Sequence, residues 1–283
     1  MRSLKITLLL FLLVFSSGIL SAQKKNSKPW FFIQITDPQF GMYENNKGFG
    51  KETQLYLAAV AGVNRLKPDF VVITGDLVND RLDTMQIREF KRITSKITSG
   101  VPVYCVPGNH DIGNIPDSAT IASFVQNYGS DRFSFNHKNS LFIGLNSEII
   151  KANINTHEQN QYDWLVNALS KGKKSSHIIL FGHYSFFISS FDEPDGYFNI
   201  GNDKRMKYLE LFASNKVNAI FSGHYHKNAV SRFGDIDIVT TSAVGMPHGD
   251  VPSGFRVVKV YPDRIEHHFY GLEELPAAIT FNK

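Results

Sequence analysis

The sequence predicts a layered α/β fold on three observations. Apolar runs rich in β-branched and aromatic residues alternate with stretches of helical periodicity between Trp30 and Ser222. Beyond Ser222 the periodic stretches are mostly of the β kind. No Pro/Ser-rich linker, repeat or low-complexity tract divides residues 29–283, and layered α/β domains often run to about 250 residues undivided, so a single unit is expected.

In chain order, Trp30–Thr36 is the first strand, apolar enough to be covered on both faces. A helix follows over Glu52–Leu66, where Leu55, Ala58, Ala59, Val63 and Leu66 share one face and Pro68 closes it. Phe70–Thr74 is the next strand. Asp83–Ile97 is the next helix, with Ile87, Phe90 and Ile97 on one side. Val101–Val106 is a strand, Ser118–Tyr128 a helix, and Phe133–Asn146 a hairpin turned at His137-Lys138-Asn139. Thr156 and Gln159 form a capping box opening a helix that carries Trp164, Leu165 and Leu169. Two strands, His177–Phe181 and Val217–Ser222, flank a helix over Lys204–Ser214. Ile236–Ser242, Phe255–Tyr261 and Arg264–Tyr270 complete the set, the last two joined at Pro262-Asp263. Only Tyr184–Asp203 is long, aromatic and without period, and long loops of that kind are often functional.

The N-terminus is of another kind. Arg2 and Lys5 precede the apolar run Ile6–Phe15, and Ser21-Ala22-Gln23 follows, so residues 1–22 are expected to be a signal peptide and 23–28 a disordered lead-in. An uncleaved anchor is the alternative, although the run is short for a span of about 20 residues. Export to the periplasm or the extracellular space is the expectation, with no stable membrane insertion after cleavage. Residues 1–22 carry two of the 30 Lys and Arg and none of the 26 Asp and Glu, leaving 28 against 26 and a mature net charge near +2. With no basic stripe interleaved with aromatics, nucleic acid is not expected as a partner. The lone Cys105 cannot form an intramolecular disulfide, and inside a strand it reads as a structural thiol.

Five polar stretches stand just after the strand runs: Asp37-Pro38-Gln39, Gly75-Asp76, Gly108-Asn109-His110-Asp111, Gly182-His183 and Gly223-His224-Tyr225-His226. Asp, Asn, Gln and His all ligate divalent cations, and ligands of open α/β sheets gather at the carboxyl edge of the strands. The glycines allow tight turns or close backbone approach there. A metal site at that edge follows.

These stretches, in this order, resemble the signature of the calcineurin-like metallophosphoesterases: D-x-H, G-D, G-N-H-[DE], a later His, and G-H-x-H. Asp37-Pro38-Gln39-Phe40-Gly41, Asp192–Asn199 and Gly223–Asn228 are similar to a phosphatase-like branch that keeps D-P-Q in place of D-x-H. The resemblance covers residues 29–283 and implies two mixed β-sheets packed face to face as a sandwich, flanked by helices. It also implies two cations bridged by Asp76, with Asp37, Gln39 and His226 on one and Asn109, His183 and His224 on the other. Here His183-Tyr184-Ser185 replaces the His-x-Pro of many relatives. His110 is implied beside the leaving-group oxygen, as general acid or as electrostatic stabiliser, with Asp111 orienting it. Two cations can activate a bridging hydroxide and clamp the oxygens of an in-line displacement. Two carboxylates and that hydroxide leave residual positive charge, which favours an anionic substrate.

The amide of Gln39 shifts its site toward hard cations, Mn²⁺ or Mg²⁺, with Fe²⁺ or Zn²⁺ possible. Asn199 or Arg205 is a candidate contact to substrate phosphate, and Asp192, Glu193 and Tyr197 are candidates for a lid. The remaining histidines, 137, 157, 177, 248, 267 and 268, read as structural or surface residues. The expected activity is hydrolysis of phosphate monoesters, on a small molecule or a phosphoprotein. A phosphodiesterase, or a metal-containing protein that only binds a phosphorylated ligand, is the alternative.

Overall fold

The structure is a computed structural model describing residues 28–282, so the expected signal peptide and all but the last residue of the lead-in lie outside the described residues. Strands β1 (Trp30–Ile35), β2 (Val71–Thr74) and β3 (Val103–Val106) alternate with helices α1 (Gly50–Leu66) and α2 (Thr84–Thr94). Short α3 (Asn109–Ile112), α4 (Ser118–Tyr128), the hairpin β4 (Phe133–His137) and β5 (Ser140–Gly144), α5 (Ser147–Lys151) and α6 (Asn155–Lys171) follow. Then come β6 (His177–Phe181), α7 (Asn202–Ser214), β7 (Ala219–Ser222), β8 (Ala229–Phe233), β9 (Ile236–Thr240), β10 (Gly254–Val260) and β11 (Ile265–Gly271).

They form two mixed sheets with helices outside, as the resemblance implies. One sheet has the order β11-β10-β1-β2-β3, and the other β4-β5-β6-β7-β9-β8. Period-2 side-chain alternation assigns each face. Trp30 and Phe32 of β1 point between the sheets, where they join Phe70, Phe142, Phe181 and Phe221. Phe31, Ile33 and Ile35 of the same strand pack under α1 and α2 with Tyr56, Val63 and Phe90. A second outer core of Leu165, Leu169, Tyr208 and Phe212 covers the other sheet. Phe32 stacks on Phe70 at 4.9 Å between ring centres and meets Phe181 edge-on at 5.7 Å. Each ring so buried stabilises the fold by roughly 1.5–3 kcal/mol.

One step further along β1 the interior turns polar. Gln34 donates to Thr74 Oγ1 (2.9 Å) and to the Ser222 carbonyl (3.0 Å), and accepts from Thr241 Oγ1 (2.7 Å). The buried Arg256, paired with Gln34 across β1 and β10, donates to that Thr241 hydroxyl and to Asn228 Oδ1. This layer ties the sheets together directly beneath their carboxyl edge.

Some boundaries differ from expectation. The hairpin turns at Lys138 and Asn139, both with positive φ, the pair of signs a two-residue type I′ turn demands. Helix α2 stops at Thr94, and Ile97 reaches the core through tight turns closed by Lys96 N to Ile93 O and Ile97 N to Thr94 O. Thr156 does not cap α6: the Ile154 carbonyl accepts the first helical bond from Glu158 N. Edge strand β8 escapes the sequence because Val230, its central apolar residue, faces solvent.

Candidate metal centre

Both sheets end their parallel strands at one edge, and there the five polar stretches meet. Asp37 and Gln39 follow β1, Asp76 follows β2, and Asn109 opens α3 after β3. His183 follows β6, and His224 and His226 follow β7. Every oxygen donor therefore comes from one sheet and every imidazole from the other. All seven side chains are buried.

Five of them sit on backbone that L-residues rarely adopt. φ is 51° at Asp37, 40° at Gln39, 48° at Asp76, 67° at His224 and 54° at His226. Such residues cost roughly 1–3 kcal/mol each and persist where the surroundings hold them. The hold is visible: Gln39 N donates to the Asp76 carbonyl (2.8 Å), Gly245 N to the Asp37 carbonyl (3.0 Å) and His248 N to the His226 carbonyl (2.9 Å). Close approach does the rest, since a Cβ on Gly108 would strike Asp76 and one on Gly223 would strike Thr36 and Asp37.

Two groups of ligand atoms result, Asp76 with His183 and His224, and Asp37 with Asp76 and His226, each within 4.8 Å and sharing Asp76. The donor set fits divalent cations on three counts. The first is that Gln39 Nε2 donates to Asn79 Oδ1 (3.3 Å), which leaves Gln39 Oε1 buried with no hydrogen-bond partner among the described residues. The second is that each histidine anchors one ring nitrogen on a backbone carbonyl: His183 Nδ1 on Thr74 (2.9 Å), His224 Nε2 on Tyr197 (3.2 Å), His226 Nδ1 on Met246 (2.6 Å). Such partners fix the tautomer and leave the other nitrogen a lone pair for a metal. The third is crowding: His183 Nε2 lies 3.2 Å from Asp76 Oδ2 and His226 Nε2 lies 3.2 Å from Asp37 Oδ1, distances at which lone pairs need a cation or a proton between them.

The electrostatics follow from that crowding. Burial would raise the Asp37 and Asp76 carboxyls, but His226 and His183 respectively hold them below the usual range. Burial likewise opposes charge on His183 and His226, which Asp76 and Asp37 overcome, so both rise. His224, buried and beside His183, falls to about 3.

His110 N donates to Asp76 Oδ1 (2.9 Å), and its Nδ1 donates to the Asn79 carbonyl (2.9 Å). The ring borders an open cleft of about 600 Å³ with Asn79, Arg81, Asn109, Ile115 and Tyr197. Asp111 does not orient it, contrary to expectation. The Asp111 carboxyl accepts from the Leu77, Val78 and Gly108 amides (2.9, 3.3 and 2.8 Å) and binds the loop after β2 to the start of α3. The contacts expected of Asn199 and Arg205 are also replaced. The Arg205 guanidinium is spent on the Phe191, Glu193 and Ile200 carbonyls, and Asn199 on Glu193, Pro194 and Gly196. Both brace the 184–203 loop from beneath. Sequence reasoning missed Asn79, whose only sign is a polar residue three places after Asp76. It also missed His248, which stacks on His226 at 4.6 Å.

A calcineurin-like phosphoesterase family model matches residues 32–228. Serine/threonine-protein phosphatase CPPED1 of Rattus norvegicus is 36% identical over 266 residues, 87% of this chain and 85% of that protein. The Homo sapiens protein of that name is 36% identical over 267 residues, with the same shares. Among solved structures, a dimetal phosphatase from Danio rerio (LOC 393393) superposes with a TM-score of 0.65 at 17% identity, over 86% of this chain and 96% of that one. Purple acid phosphatase PPD1 of yellow lupin (Lupinus luteus) does so with 0.66 at 16% identity, over 88% and 52%. The two structures share the fold, and the sequence relatives carry the likeness through nearly all of it: the chain belongs to the calcineurin-like phosphoesterase family and is a metal-dependent phosphoric ester hydrolase.

Proposed function

We propose that the protein hydrolyses phosphate monoesters with two divalent cations, one held by Asp37, Gln39, Asp76 and His226, the other by Asp76, Asn109, His183 and His224. The pair of buried ligand groups meeting at Asp76 carries this reading. Such a cation pair, when bound, makes a nucleophile from water near neutral pH and neutralises phosphoryl oxygens. The chain's own residues supply position and a proton. His110, held through Nδ1, presents Nε2 to the leaving-group oxygen as acid or as electrostatic stabiliser. The cleft beside it leaves room for the leaving group to point to solvent.

Mn²⁺ or Mg²⁺ is the favoured cation, because Gln39 offers an amide oxygen where an imidazole would favour Zn²⁺. The CPPED1 relatives are named serine/threonine-protein phosphatases, which supports phosphoserine and phosphothreonine proteins as substrates beside small phosphate esters. Export rests on Arg2, Lys5 and the apolar run after them. Mass spectrometry should find a mature N-terminus near Gln23, and intact Met1 in soluble cytoplasm contradicts export. No helix among the described residues is long and apolar enough to cross a membrane. The deciding assay compares p-nitrophenyl phosphate with bis(p-nitrophenyl) phosphate in Mn²⁺-supplemented buffer. A higher kcat/KM on the monoester is expected, and the reverse order makes the protein a phosphodiesterase.

A further inference from the structure

The 184–203 loop is the one long segment that the layered fold does not need, and its bracing is elaborate. Arg205 and Asn199 hold it from within, the Glu193 carboxylate accepts from the Ile188 and Ser189 amides (2.8 Å each), and Lys151 Nζ donates to the Gly196 and Asn199 carbonyls (2.6 Å each). What this bracing fixes is Tyr197. Its carbonyl receives His224, its ring lies 4.7 Å from the His224 imidazole, and its hydroxyl stands 3.5 Å from Asn109 Nδ2. The phenol is thus suspended over Asn109 and His224. Yet Tyr197 keeps 55% of its surface exposed, on the cleft that His110 borders. A side chain wanted only for packing has no reason to be held so firmly and left so open.

We propose that Tyr197 is a substrate-binding residue, its hydroxyl donating a hydrogen bond to a non-bridging phosphoryl oxygen across the cleft from His110. The proposal rests on the phosphoesterase reading of the same site. A phosphoryl group has more oxygens than a cation pair covers, and donors aimed at the remaining charge stabilise the transition state. Among the described residues, the one hydrogen-bond partner of the hydroxyl is the Asn109 amide, which donates to it at the limit of hydrogen-bonding distance, so the hydroxyl proton is available.

The test is Tyr197→Phe, which deletes the hydroxyl and keeps the ring and carbonyl. In the Mn²⁺-loaded full chain, metal content should equal that of wild type. Binding of inorganic phosphate, read by calorimetry, and kcat/KM on p-nitrophenyl phosphate should each fall about 10- to 100-fold, the scale of a hydrogen bond to a charged group. Unchanged phosphate affinity and kcat/KM overturn the proposal. Lost metal overturns it too, by making Tyr197 a support of the metal shell alone. A wild type that hydrolyses neither ester sinks the phosphoesterase reading, and phosphate calorimetry still decides the role of Tyr197. No phosphate binding by an active wild type sinks the Tyr197 proposal and leaves that reading standing.

Discussion

The two half-sites that share Asp76 are supported from different depths. The half with Asp37, Gln39 and His226 rests on short turns next to the sheet edge. Gln39 leans on Asn79, His226 on Met246, and three of its backbones are left-handed and latched by backbone hydrogen bonds to neighbouring turns. The half with Asn109, His183 and His224 has only one such backbone, and His224 takes its support from Tyr197 on the long braced loop. One half is therefore supported wholly from turns at the sheet edge, while the other, whose His183 still rests on Thr74 of β2, depends through His224 on a loop that also borders the cleft. On the proposed ligand assignment, the difference separates two roles: cation preference would be set in the first half, and coupling between substrate and cation in the second.

The severest test removes what the halves have in common. Asp76→Ala should lose both cations and more than about 10³-fold in kcat, on the scale of losing a group that fixes transition-state charge. Elemental analysis with turnover checks it, and a variant that keeps one full complement of metal breaks the idea of a shared ligand. His110→Ala should keep both cations, because only its backbone amide touches Asp76, and lose roughly 10²- to 10⁴-fold in kcat. The loss should shrink on aryl esters with good leaving groups if His110 acts as an acid.

The next two variants separate the halves. Arg205→Ala removes a brace of the loop that bonds to none of the seven proposed ligands, and should weaken the cation site of Asn109, His183 and His224 by about 10- to 100-fold, the usual cost of an outer-shell partner. Metal titration reads this, and equal weakening of both sites contradicts the assignment of the loop to one half. Gln39→His should act on the other half alone, raising Zn²⁺ or Fe²⁺ retention after dialysis and moving metal preference away from Mn²⁺. Identical metal content in both proteins withdraws Gln39 as a ligand.

The smallest effect is in pH. In the metal-free protein His183 and His226 have folded pKa values raised by Asp76 and Asp37. Their contribution to stability is complete below the ordinary histidine range and is lost as pH rises through the raised values. Cation binding needs both rings deprotonated, so affinity climbs over the same interval. The gap in Tm between metal-loaded and chelated protein should widen as pH rises, and a gap that narrows refutes the ligand assignment.

Much of this site is written in the sequence, for a physical reason. Side chains able to ligate a cation stand after apolar runs whose burial forces the chain to surface at that place, so the meeting of Asp37, Asp76, Asn109 and the Gly-His pairs at one edge could be read directly. The supports could not. Thr74, Asn79, Tyr197 and Met246 hold histidines through backbone carbonyls, a group every residue owns, and only the folded chain selects which is used. Asp111 and Arg205 misled for the converse reason. A charged side chain beside a motif suggests chemistry, while both are taken up by backbone amides and carbonyls that the turns leave unpaired.

The sorting of candidate donors, oxygens from one sheet and imidazoles from the other, would make a bound cation pair a rivet through two plates. Each half-site draws on both plates and is complete only while they are aligned, so metal occupancy would report their relative slide. Changes far from the edge, such as a cavity opened at Phe32 or Phe142 in the aromatic seam, then reach the chemistry by shear, with no chain of contacts leading to the site. The same logic runs in reverse. Loading the metals should stiffen the seam along its length, and slower hydrogen exchange in β1 and β7 on metal addition is the mark such a fastener would leave.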